Sequence, residues 1–125
     1  MTPHLDLDEH EREQLARLLD EDSLGALLRR WSSFVTQVER GYDDSIYEYT
    51  NDLSVRDRLE RLATRAGPGL RAKLEAALAA DDRRFETATE EAARPLGEFG
   101  DASPPWWWRR VPVRRVGELA EDLEP

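Results

Sequence analysis

The chain contains no cysteine, which excludes disulfides, thiol nucleophiles and thiolate-ligated metals. Histidine is almost as scarce: His4 and His10 both stand in the acidic N-terminal stretch. Asp6 and His10, four residues apart, form at most a two-ligand surface pair, which is a weak metal site. With no thiol, and no histidine beside a candidate serine, a nucleophilic triad has nothing to be built from. No apolar run approaches the roughly 18 residues that cross a bilayer. The opening MTPHLDLDEHERE has neither a basic nor an apolar signal region. A cytoplasmic protein with no transmembrane segment is the expectation. Lysine is nearly absent too, Lys73 standing against seventeen arginines, and with abundant alanine this is the compositional habit of GC-rich bacterial genomes.

Apolar residues are also few. At 39% hydrophobic and 36% charged, a chain of 125 residues has material for one thin core and wide solvated helix faces. A core completed by homo-oligomer formation is compatible with that composition. The net charge of −9 is unevenly placed: residues 1–22 hold eight acids against Arg12 and Arg17, whereas 104–116 hold four arginines and no acid. General nucleic-acid binding needs a basic surface to neutralise phosphates. The acidic balance suits instead a partner protein with a basic surface.

What the chain does have is helical periodicity, centred on the run from Trp31 to Leu62. Trp31, Phe34, Val35, Val38 and Tyr42 recur at spacings of three and four and predict one buried helix face, extended upstream by Leu24, Leu27 and Leu28, with Ser23 as its cap and Gly41 as its stop. Upstream, Asp8 and Glu11 are spaced as a capping box for a helix carrying Leu15, Leu18 and Leu19, joined through Asp20 to Asp22. Downstream, Ile46, Tyr49 and Leu53 form one short face and Val55, Leu59, Leu62 and Ala66 another. Leu53 and Val55 lie about 200° apart around a helix, so a break at 51–54 is predicted, with Ser54 to Asp57 capping the second piece. Arg56, Arg58, Arg61 and Arg65 are then expected on its solvated side.

Gly67 and Pro68 predict a left-handed helix end followed by a new helix start. The new face runs from Leu70 through Leu74, Leu78 and Phe85 to about Arg94. Beyond it, Pro95, Gly97, Gly100, Pro104 and Pro105 cannot sustain a helix. Trp106 to Val116 reads as extended, with Pro112 confining any strand to an edge, and 117–125 as a short acidic helical turn or a disordered end. The fold expectation is therefore all-α: a small four- to five-helix bundle over 1–98, with an irregular or extended Trp/Arg-rich C-terminal arm over 99–125, packed on the bundle or used for partner binding.

Two patches are candidates for function. The first is the acidic, tyrosine-rich set Tyr42, Asp44, Tyr47, Glu48, Asn51 and Asp52, suited to meeting a basic protein surface. The second is Trp106, Trp107, Trp108, Arg109 and Arg110, since Trp and Arg dominate interface hot spots. Three consecutive tryptophans in an extended chain cannot all face one side, so the run reads either as a lid on the bundle with its arginines paired to acids, or as an anchor for a partner. A non-enzymatic interaction module, such as an adaptor, immunity or regulatory subunit, is the leading expectation, without catalytic residue, cofactor or metal. The alternative is a metal-dependent hydrolase of a nucleotide or other phosphate ester, in which Asp44, Glu48 and Asp52 hold magnesium or manganese and Arg56 or Arg109 holds phosphate. Of the paired E-x-x-E and E-x-x-D motifs of all-helical nucleotide pyrophosphohydrolases, the clearest match, Glu118-x-x-Glu121, lies in the tail, and the central acids run D-x-x-x-E-x-x-x-D, so the spacing does not assign that family.

Overall fold

The computed structural model describes residues 5–18 and 21–124, with the backbone alone described at 21 and 22. The roles expected of His4, Leu19 and Asp20 lie outside the described residues. Among the described residues the elements are α1 (Glu9–Leu18), α2 (Glu21–Arg40), α3 (Ile46–Arg65), α4 (Pro68–Ala88), β1 (Thr89–Glu91), a 3-10 turn (Trp106–Arg109), β2 (Arg110–Pro112) and α5 (Gly117–Asp122). The molecule is an all-α bundle with a C-terminal arm, and its two short strands pair antiparallel, Glu90 opposite Val111. None of these helices is long and apolar enough to cross a membrane.

The capping box of α1 forms as its spacing predicts. Glu11 N donates to Asp8 Oδ1 at 2.8 Å, and Asp8 N donates to Glu11 Oε1 at 3.0 Å. The backbone bond from Glu11 is also the chief reason the Asp8 carboxyl sits below its ordinary pKa. Helix α2 buries the predicted face from Leu24 to Val38. It begins at Glu21, so Ser23 lies inside its first turn rather than at its cap. It stops at Gly41, whose φ of 117° is a left-handed conformation that glycine adopts without strain.

The predicted break at 51–54 does not occur: α3 is one helix from Ile46 to Arg65. Ser54 Oγ merely donates back to Asn51 O. The helix instead starts at Ser45, whose Oγ accepts from Glu48 N at 3.2 Å, and Ile46 N reaches Asp122 Oδ2 in α5 at 2.9 Å. Leu53 and Val55 are both buried because α3 is the central element, packed against α2, α4, α5 and the 3-10 turn. Tyr49, Arg56, Leu59 and Ala63 are also buried, and at 100° per residue they fill the arc between the two apolar faces. The buried arc thus spans about half the helix circumference.

Gly67 differs from expectation as well. Its φ of −67° and ψ of 166° are extended backbone, and it caps α4 ahead of Pro68. Gln14 of α1 lies against it: its amide oxygen accepts from Gly67 N at 3.2 Å, and a Cβ at Gly67 would come within 2.6 Å of the end of that side chain, which would have to shift. Helix α4 ends at Ala88, about six residues short of the expected end, because the arm supplies a strand partner for 89–91 and draws the chain into β1.

The arm is neither wholly extended nor loose. Trp106–Arg109 winds into a 3-10 turn, which fans the three rings around the turn instead of alternating them. Val111 and Leu119 are buried, and α5 replaces the open-ended acidic segment with a short helix.

Candidate functional site

Trp107, 3% exposed, lies over Arg56 with the guanidinium carbon 4.5 Å from the ring centroid. The indole N–H groups of Trp107 and Trp108 both donate to Asp57 Oδ1 at 2.9 Å, and Trp108 also reaches Oδ2 at 3.1 Å. Trp106 packs its ring 6.0 Å from that of Phe85. Arg56, expected in water, is 6% exposed. It binds Asp82 through Nε at 3.1 Å and Nη2 at 2.9 Å, and Glu60 through Nη1 at 3.1 Å. Asp82 in turn accepts from the indole of Trp31 at 3.0 Å. Among the described residues no fully buried side-chain polar atom lacks a partner, which is the condition for burying charge.

The arm's arginines go mainly to helix ends rather than to acids. Arg110 donates to Glu86 O, Thr89 O and Thr89 Oγ1 at the C-terminus of α4, and its own carbonyl accepts from Tyr49 at 2.8 Å. Arg114 donates to Arg40 O at the C-terminus of α2. Cations placed there satisfy the orphan carbonyls and complement the helix dipole. Arg115 alone pairs with an acid, Glu90 at 2.7 Å. Arg109 remains exposed beside Glu86, Glu91, Trp106 and Arg110.

The acidic and tyrosine-rich residues gather at one end of the seam between α2 and α3. A depression of about 380 Å³ there is lined by Gln37, Arg40, Tyr42, Asp43, Asp44, Glu48 and Asp52. The residues differ in availability. Tyr42 is 4% exposed and donates to Asp52 Oδ2 at 2.8 Å. Burial, reinforced by that carboxylate, pushes the Tyr42 hydroxyl well above its usual pKa; burial likewise raises the Asp52 carboxyl, against the opposing pull of the Tyr42 hydrogen bond and Arg30. Asp44 is exposed and accepts from Ser45 N at 2.7 Å. Glu48 and Asn51 are exposed, and Tyr47 is the most exposed large apolar residue described, at 82%. Among the described residues no three histidine or carboxylate side chains are grouped as a metal site would need.

One feature escaped sequence reasoning. At the other end of the same seam, a depression of about 530 Å³ has Leu18, Ala26, Leu27 and Leu62 on its walls and Arg30, Arg58, Arg61 and Arg65 around it. A shallower stretch lined by Ala26, Arg30, Ser33, Gln37 and Asp52 joins the two ends. The signal was in the spacing: Arg58, Arg61 and Arg65 follow the helical period together with Tyr47 and Asn51, but the predicted break cut that line in two. The seam is therefore bipolar, acidic at 43–52 and basic at 58–65. No protein-family model, curated protein or solved structure matches the chain, so its chemistry alone carries the functional reading.

Proposed function

We propose that the chain is a protein-interaction module without catalytic chemistry of its own, and that it docks through the acidic, tyrosine-bearing end of the α2–α3 seam. The observation that carries this is Tyr47. Trp31, Phe34, Tyr42, Tyr49, Phe85, Phe99 and Trp106 to Trp108 all touch another aromatic ring, whereas Tyr47 stands in solvent between Asp44, Glu48 and Asn51. A chain this poor in apolar residues that leaves one large ring outside its core has a use for it there. Tyrosine offers a rigid amphipathic anchor, and the surrounding carboxylates favour a basic counterpart and speed its approach.

Tyr42 and Asp52 hold the rim of this site from beneath, while Asp44, Tyr47, Glu48 and Asn51 provide its contact surface. The reading places the protein in the cytoplasm among adaptor, immunity or regulatory subunits, acting by occupancy rather than turnover. It is tested by capture from nuclease-treated lysate, comparing the intact chain with the Tyr47→Ala, Glu48→Arg variant. A stoichiometric partner lost in the variant is the expected result. If the variant retains every partner of the intact chain, the docking face is elsewhere.

A further inference from the structure

The seam carries both halves of a charge-complementary pair. The basic end is Arg30, Arg58, Arg61 and Arg65, and among the described residues none of the four has a hydrogen-bonded acid. The acidic end is Asp43, Asp44, Glu48 and Asp52. The open edge of α3 links them: Tyr47, Asn51, Arg58 and Arg65 fall within about 40° of one another around the helix at 100° per residue. All four are exposed. Between them lies half-buried Ser54, small enough to let another helix approach.

Resting on the docking reading above, we propose that the basic surface recognised by the acidic end is the arginine end of a second copy of this chain, so that the protein forms a two-fold antiparallel dimer along α3. A two-fold axis makes the same patch serve both partners, each residue pair occurring twice. With the axis passing between Ser54 and Val55, the register along α3 follows from counting. Glu48 lies level with Arg61 of the second copy, and Asn51 with its Arg58. Tyr47 lies level with Leu62, whose depression has an apolar wall and an arginine rim that suit an aromatic ring. The same seam paired in parallel would set arginine against arginine and acid against acid. Self-complementarity thus selects one arrangement, and it gives the thin core the additional apolar contact that its composition leaves wanting.

Two charge-reversed variants of the full chain test this. Arg58→Glu, Arg61→Glu turns the α3 side of the basic end acidic; Glu48→Arg, Asn51→Arg places two arginines at the acidic end. All four positions are solvent-exposed, and circular dichroism of each variant establishes that it keeps its fold. Sedimentation equilibrium of the wild type is expected to show a dimer that weakens as salt rises. Each variant alone should dimerise at least about tenfold more weakly, the loss that 1.4 kcal/mol of repulsion produces. An equimolar mixture should recover the dimer, because every reversed residue then faces a reversed partner and every native residue a native one. A monomeric wild type at all concentrations overturns the proposal, and so do variants that dimerise unaided or a mixture that stays monomeric. A monomer that still captures a foreign protein through Tyr47 would leave the docking reading standing and remove only the second copy as its target. A rescued dimer with no other partner would identify the second copy as the target of the docking face.

Discussion

At the scale of single residues, each buried charge among the described residues has a partner: Glu11 with Lys73, Arg56 with Asp82 and Asp81 with Arg84. Arg56 shows why this was hard to read. Beside Arg58, Arg61 and Arg65 it has the spacing of a solvated face, and besides Glu60 on its own helix its burial rests on two distant partners, a carboxylate 26 residues away and a tryptophan from the arm. Neither partner is visible from local pattern. The Asp8/Glu11 cap was legible because both halves lie within one turn. The Ser45-x-x-Glu48 start was equally local, and was masked by the expectation of a later start at Ser54. Asp52 gives a test at this scale. Burial raises its carboxyl above the ordinary value, so the folded state favours the protonated form: the associated stability is complete below the unfolded pKa and is lost as pH rises through the folded one. Asp52→Asn keeps an oxygen for the Tyr42 hydroxyl and removes the charge. Its melting temperature should therefore exceed that of the wild type at neutral pH, with the gap closing towards about pH 3. A gap independent of pH would show that ionisation of Asp52 is not the cause.

At the scale of elements, the helices that bury one face were readable, and the element that buries half its circumference was not. Helix α2 follows a single stripe and matches expectation. Helix α3 meets the α2 side with Val55, Leu59 and Leu62, and the arm with Tyr49, Arg56 and Asp57, so its apolar residues look out of phase until the arm is in place. The arm is thus part of what makes α3 continuous. It places Trp107, Val111 and Leu119 in buried positions and closes the C-termini of α2 and α4 with Arg114 and Arg110. Losing one buried tryptophan costs about 3–5 kcal/mol, against about 5–15 kcal/mol for a whole domain. A chain ending at residue 100 should accordingly lose its cooperative thermal transition or melt many degrees lower by circular dichroism. An unchanged melting curve would mean that the arm merely rests on the bundle.

At the scale of the whole molecule, the arrangement separates structure from display. The tryptophans and two of the arm's four arginines, Arg110 and Arg114, serve the interior and the helix ends, and the acidic tail caps α3 through Asp122. One seam of the core helices carries acids at one end and arginines at the other, with Tyr47 beside them. The acidic half was legible from the sequence because its residues are close together. The basic half, and the fact that both share one groove, required α2 and α3 to be seen antiparallel and unbroken. The central claim is that Tyr47 marks a protein-docking face. It is tested most directly by placing a photo-crosslinking amino acid at position 47 of the full chain, with the exposed position of Arg94 as control. Irradiation should convert the variant substituted at 47 into one discrete adduct of higher mass and leave the control unmodified. No adduct from position 47, or the same adducts from both positions, would contradict the account.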